Sequence, residues 1–242
     1  MKDNYVGDIG DYAKLILLRN LSQIKGIKLG INWYFNKAEE QNTDGLHIDY
    51  LCFDKKNVED FDPNLYDQLR KIVENDYRYR KGRPNGEKRR ISDLTNILGK
   101  DIKADFKEEV PSSKKSRPNW IDTSLIELKE CNLIFLDPDN SIAYNDANGN
   151  KKHVLRKEIE HYWKHGKSLV IYDHRDRKPK EQYDAKFKIG DLKPSCFIEA
   201  NMHSKRTYVF YLQSHHKEVV QLLKKLCHNP DNLGQLFSNF RK

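Results

Sequence analysis

Cysteine is scarce in this chain. Cys52, Cys131, Cys196 and Cys227 are the four among 242 residues, and no two stand at CxxC spacing. That excludes a cysteine metal knuckle, and three of them lie in or beside apolar runs, which reads as buried reduced thiol. Long hydrophobic runs are missing too. None approaches the roughly 20 residues that cross a bilayer, so no membrane partner is expected. Met1 to Tyr12 is polar and acidic, so no secretory leader is expected, and the expected location is cytoplasmic. No internal repeat and no glycine-rich phosphate loop occur. The first apolar run, LGINWYF, leads into NKAEE, and the early GDIGD matches no phosphate-loop pattern. Hydrophobic residues make up only 37% and mean hydropathy is −0.88, yet enough Leu, Ile, Val and aromatics remain for a core.

Charge is plentiful and unbalanced. Charged residues are 33% of the chain, its net charge is +8 and its pI is near 9.1. Such a protein is drawn to polyanions, and DNA or RNA is the expected partner. Basic residues crowd RYRKGRPNGEKRR, where Arg78, Arg80, Lys81, Arg83, Lys88, Arg89 and Arg90 surround Gly-Arg-Pro and Asn-Gly turns. Tyr77 and Tyr79 interleave with the first arginines. One reading is a phosphate-backbone clamp with tyrosines to stack on bases. The other is a solvated loop whose charge aids solubility.

The densest pattern is Asn132 to Lys178. Leu133 to Leu136 is wholly apolar and Ser168 to Tyr172 nearly so, which suits parallel strands buried on both faces. Between them Leu155, Ile159, Tyr162 and Trp163 form a helical stripe that stops at Gly166, the expected C′ glycine. Strand, helix and strand of this length predict a right-handed βαβ unit. In an open parallel sheet the ligand crevice lies beyond the carboxyl ends of the strands. Asp137, Asp139 and Asn140 stand at one such end, and Asp173, His174 and Arg175 at the other.

Around this unit, Leu15, Leu18 and Leu21 predict a helix with Asp11 as its N-cap, preceded by the GDIGD loop. Leu29 to Phe35 and Leu46 to Phe53 read as strands. Asp62 and Pro63 cap and open a helix through Leu65, Leu69 and Val73. Shorter helices are expected around Ile91 to Leu98, Trp120 to Glu130 and Pro179 to Phe187. Cys196 to Ala200 and Thr207 to Leu212 predict a closing antiparallel strand pair. A helix over His215 to Cys227 and further turns through Leu233, Leu236, Phe237 and Phe240 end the chain. The expected fold is a single α/β domain over 1–242, a Rossmann-like three-layer sandwich with a mostly parallel sheet, and a basic insertion at 76–118.

Several carboxylates in one crevice repel each other unless a cation lies among them, and oxygen-rich sites suit Mg²⁺ or Mn²⁺. Asp8, Asp137 and Asp139 are the candidate metal ligands. With Asp137, His174 is the candidate for proton transfer and Arg175 for the developing charge. Asp11, Lys14, Asn140 and Arg177 are candidate substrate contacts. These assignments make a metal-dependent nuclease or phosphoesterase the leading expectation. Plainer readings stay open: DPDN as a strand-end turn, DHRDRK as an exposed loop, GDIGD as a capped entry loop. Pro138-Asp139 with Asp176-Arg177-Lys178 spells a PD…DxK nuclease pattern, but a helix separates its two halves.

A buried strand ending in Asp-Pro, then a helix, a strand and a closing antiparallel pair resembles the second half of the class I methyltransferase fold. LDPDN occupies the place of the DPPY-like motif of amino-methylating DNA enzymes. It departs from that motif at Asp139, which replaces the second proline, and at Asn140, which replaces the base-stacking aromatic. The resemblance implies an S-adenosylmethionine-dependent nucleic-acid methyltransferase as an alternative. A non-catalytic nucleic-acid or partner-binding module is the third possibility. Through NYVGDIGDYAKLILLR, LGINWYF, LIFLDPDN and SLVIYDHRDR the chain also resembles an uncharacterised family of bacterial proteins. That resemblance implies no activity, but it implies that the GDIGD loop and the LDPDN strand share one site.

Overall fold

In the computed structural model, residues 1–37, 45–52, 58–76, 88–176, 178–202, 205–228 and 233–242 are described. The first helix, α1 (Ile9–Ser22), is capped by Asp8, whose carboxylate accepts from the Gly10 amide. The cap is not Asp11, because Asp8 keeps the extended backbone that a cap needs (φ −63°, ψ 153°) while Asp11 already lies in the first turn. β1 (Leu29–Asn32) comes next, as expected. The expected strand at Leu46 to Phe53 instead contains one helical turn, α2 (Asp49–Cys52). Ile48 and Leu51, three residues apart, are both buried while Leu46 is exposed, so a helical spacing lay inside an alternating run.

α3 (Pro63–Asn75) begins as expected, with Asp62 accepting from the Leu65 amide and proline in the first turn. α4 (Ile91–Leu98) also matches. β2 (Ala104–Phe106) was not foreseen, since its neighbours are charged, but it pairs in parallel with β1 as an edge strand. Residues within 76–118 therefore supply part of the sheet. α5 (Arg117–Glu127) leads to β3 (Leu133–Leu136). A small parallel pair, β4 (Ser141–Ile142) and β5 (His153–Val154), precedes α6 (Arg156–Lys164) and β6 (Ser168–His174). Gly166, at φ +73°, stands just past the end of α6 in the left-handed conformation that glycine adopts without strain. Next come α7 (Lys180–Ala185), β7 (Cys196–Asn201), β8 (Lys205–Tyr211), α8 (Lys217–His228), α9 (Leu233–Leu236) and β9 (Phe237–Arg241).

The chain is α/β, with a seven-stranded sheet in the order β2-β1-β3-β6-β8-β7-β9. Five strands run the same way, while β8 and β9 are reversed. β7 and β8 pair antiparallel, but they do not close the sheet as expected: it is mixed and continues through β7 to β9. The final stretch, expected as helical turns, extends the sheet as β9 because β7 still offered an open edge and Phe237 is buried against it.

Alternation along each strand feeds two cores. Leu133, Phe135, Val170, Tyr208 and Phe210 face α1, α3, α4 and α8. Ile134, Leu136, Leu169, Ile171, Val209 and Tyr211 face α5, α6 and α7. Cover on both faces explains the unbroken apolar runs of β3 and β6. Among the described residues, no helix is long and apolar enough to cross a membrane. β1 has β2 on one side and β3 on the other, so the winding of the chain reverses there. The carboxyl ends at such a reversal are where an open sheet leaves room for a ligand.

Candidate functional site

A cavity of about 290 Å³ lies at this edge. That is near the small end of ligand pockets. Asp137 enters it because it is the first residue after β3, and Asp139 lies one residue beyond Pro138. α1 adds Asp11 and Lys14, one turn apart on one face, and its cap Asp8. β6 contributes Tyr172 and His174, two apart and so on one side of the strand. Asp8, Asp11, Lys14, Asp137, Asp139 and His174 thus line one pocket, as the sequence expectation required.

The acids are neutralised from within the chain. Lys14 Nζ lies 2.9 Å from Asp11 Oδ1 and 2.8 Å from Asp137 Oδ2, and 4.7 Å above the Tyr172 ring. All three charged residues are at most 2% exposed. Asp11 Oδ2 also accepts from the Gly7 amide at 3.1 Å. Asp8 accepts from the amides of Gly10 and His47. The Met1 ammonium lies 2.7 Å from Asp139 Oδ1 and donates to the carbonyls of Tyr34 and Asp137. Asp139 Oδ2 is buried with no hydrogen-bond partner among the described residues.

A divalent ion between Asp11 and Asp137 would have to displace Lys14. Among the described residues, no group of three His, Cys, Asp or Glu is placed to hold a metal. The residues present therefore do not fit the expected Mg²⁺ or Mn²⁺ centre. The cation that four clustered acids call for is supplied by Lys14 and the Met1 ammonium.

Burial and these charges set the protonation states. Burial raises Asp11 to about 6, against the pull of Lys14 and with the help of Asp137. Burial works against the charge on Lys14, but Asp11 and Asp137 outweigh it and its pKa is raised. Burial pushes His174 well below the usual histidine range, and Arg206 and Lys14 push it further. His174 is thus neutral at pH 7. The general-acid half of its expected role is lost there, because the ring carries no ionisable proton to give; it can only accept one.

Other expected residues lie elsewhere. Asn140 is exposed and organises the turn after β3, its amide donating to Lys152 O and its carbonyl accepting from the His174 amide. Arg175 is exposed, its guanidinium 4.1 Å above the Tyr183 ring, so it is not set against the pocket. Asp173 points to the opposite face, where it pairs with Lys186 and accepts from Tyr183 Oη. Asp176 bonds Tyr144 and the Lys178 amide and does not line the pocket, so the PD…DxK halves are not brought together. Arg78, Arg80, Lys81, Arg83 and Arg177 lie outside the described residues.

Lys88 and Arg90 are exposed, but Arg89 is not the surface cation expected. Its side chain is 1% exposed, donates to Val6 O at 2.5 Å and Gly45 O at 2.9 Å, and pairs with Asp76. It fastens the loop that walls the pocket. Gly45 in that loop has φ +76°, and a Cβ there would meet the Asn4 carbonyl oxygen at 1.7 Å, so only glycine fits.

Six lining residues were not anticipated: Met1, Tyr5, Gly45, His47, Tyr172 and Arg206. Arg206 is brought in by the antiparallel register that sets it opposite His174, and its Nε donates to Tyr172 Oη at 3.0 Å. No local motif marks it. No known family, no curated protein and no solved structure matches this chain.

Proposed function

We propose that the chain is an S-adenosylmethionine-dependent methyltransferase acting on an amine of nucleic acid or of a nucleotide, in the cytoplasm, on a Rossmann-like three-layer scaffold. One observation carries the proposal. Asp137, at the end of β3 beside the winding reversal, is paired at 2.8 Å with buried Lys14 and faces a cavity that has its cations already in place. The reversed strand β8 between β6 and β7 supports the same scaffold, as the resemblance of the second half of the sequence implies.

Asp8 and Asp139 give the pocket carboxylates to set against a cationic cofactor. Tyr5 offers an aromatic ring, and Asp139 Oδ2 is an acceptor that takes no hydrogen bond among the described residues. Bound there, S-adenosylmethionine supplies a methyl group on a positively charged sulfur. Acids take the place of the absent glycine-rich loop in holding it. Asp137, paired with Lys14, accepts a hydrogen bond from the amine and orients it. Amine methylation releases a proton, which neutral His174, lining the same pocket, would accept. The positive charge of the chain and exposed Lys88 and Arg90 support a nucleic-acid substrate.

A metal-dependent hydrolase requires the same acids to exchange Lys14 for a divalent ion, and for that reason we rank it second. Calorimetric titration with S-adenosylmethionine in chelator, followed by transfer of labelled methyl to DNA, RNA and nucleotides, tests the proposal. Donor binding without metal is expected. No donor binding together with chelator-sensitive hydrolysis of nucleic acid would reverse the ranking.

A further inference from the structure

One cation of the pocket is left unanswered. Lys14 has two carboxylates and the Met1 ammonium has Asp139, but Arg206 pairs with no carboxylate among the described residues. Its Nε is held by Tyr172 Oη, and Nη1 reaches only the adjacent Lys205 carbonyl at 3.3 Å. The tyrosine bond restrains the guanidinium plane and leaves the Nη edge for another partner. Half-buried, Arg206 lines both the main cavity and an adjoining chamber of about 50 Å³ walled by Ile9, Ala13, Ala200 and Met202. Asp8, Gly10 and His47 are shared as well, so the two chambers form one cleft. The same cleft contains the converse defect: Asp139 is 8% exposed and its Oδ2 accepts no hydrogen bond among the described residues.

We infer that this cleft selects a bipolar ligand, with a carboxylate or phosphate on Arg206 and an amine or ammonium on Asp139 Oδ2. A guanidinium fork matches either oxyanion with two parallel hydrogen bonds. An unpaired, partly desolvated cation and a buried empty acceptor are both unfavourable, and a ligand charged at both ends relieves both. A neutral nucleoside relieves only one. Two ligand sources share the required chemistry: an amino-acid portion, as in S-adenosylmethionine, and a nucleotide with an amino-bearing base. Arg206 is the specificity-determining residue in either case. The inference rests on this pocket being the ligand site and not on the reaction carried out there.

The test is calorimetry on the full chain with paired probes: S-adenosylmethionine against its decarboxylated form, and AMP against adenosine. At least one anionic probe is expected to bind wild type tenfold or more tightly than its truncated partner. Arg206→Met is expected to abolish that preference while leaving affinity for the truncated probe within about twofold, and Arg206→Lys to retain part of it. Asp139→Asn is expected to weaken both members of the pair. The pair that responds identifies the oxyanion. The inference is overturned if neither anionic probe is preferred by wild type, or if Arg206→Met weakens both members equally in a protein whose melting temperature is unchanged. Should Arg206→Met not fold, Arg206→Lys and Arg206→Gln take its place under the same criterion. Arginine-dependent AMP binding without methyl transfer would keep this inference and sink the methyltransferase reading.

Discussion

Lys14 Nζ lies 2.8 Å from Asp137 Oδ2 across a separation of 123 residues, and both side chains are buried. This contact ties the first helix to the end of the third strand and sets the charge state of the site. Lys14→Met would leave Asp11 and Asp137 buried without their cation. Breaking one side of a buried ion pair costs about 3–5 kcal/mol. A fall of that size in unfolding free energy is expected from urea titration at pH 7. A loss under about 1 kcal/mol would mean that water or another group can replace the ammonium. Lys14→Met/Asp137→Asn should recover part of the loss, because one stranded charge has gone.

Asp11 gives a pH signature of defined sign. Its folded pKa is raised to about 6 from 3.8, so between these values the folded state binds more protons than the unfolded one. Its contribution to stability therefore falls as pH rises from about 4 to 6 and is constant above. Two pKa units correspond to about 3 kcal/mol as an upper figure. The stability of wild type relative to Asp11→Asn should thus be lower at pH 7 than at pH 4, by up to that amount. A difference that is flat or rises with pH would show that Lys14 outweighs burial.

Much of this site was legible because its components stand next to strong signals. Pure apolar runs mark β3 and β6 as strands buried on both faces, and the residues at the carboxyl ends of such strands face the crevice. Asp137, Asp139 and His174 come from that rule, and the GDIGD loop at the start of α1 brings Asp8 and Asp11, with Lys14 one turn further on. Arg206 was hidden because only the pairing of β8 with β6 brings it beside Tyr172. Arg89 was misjudged because a run of basic residues looks uniform, while one of them is drawn inward by Asp76 and two carbonyls. β9 was missed because strand formation there depends on the edge of β7, some forty residues earlier. The cation among the acids is a further case. Four acids announce a need for positive charge, but only tertiary structure reveals that a lysine three residues from Asp11 meets it.

His174 should behave as a neutral ring through the physiological range. Its pKa is held well below the usual value by burial and by Arg206, Lys14 and other cations. For a histidine with a depressed pKa the unfolded chain binds the extra proton, so stability falls as pH drops through 6.5. In proton–nitrogen spectra the His174 ring should show no titration between pH 7.5 and 6. His174→Gln should lessen the loss of stability on acidification. A ring that titrates near 6.5 would contradict the assignment and restore its role as general acid.

Arg89 and Arg90 are adjacent, yet their replacements should have different consequences. Arg89→Ala removes a partner of Asp76, which is itself 2% exposed, and the donor to the Val6 and Gly45 carbonyls. Losing one side of a buried ion pair together with two carbonyl contacts costs about 3–5 kcal/mol, so thermal stability should drop and the pocket wall should loosen. Arg90 is exposed, and its replacement should change stability by less than about 0.5 kcal/mol. If a polyanion is drawn to this face, Arg90→Glu should weaken its binding and flatten the dependence of log affinity on log salt by about one contact or more. Arg89→Ala, measured well below its melting temperature, should leave that salt slope unchanged. The reverse outcome, a reduced slope for Arg89→Ala and none for Arg90→Glu, would place the guanidinium of Arg89 at the surface and refute its role as the fastening of the pocket loop.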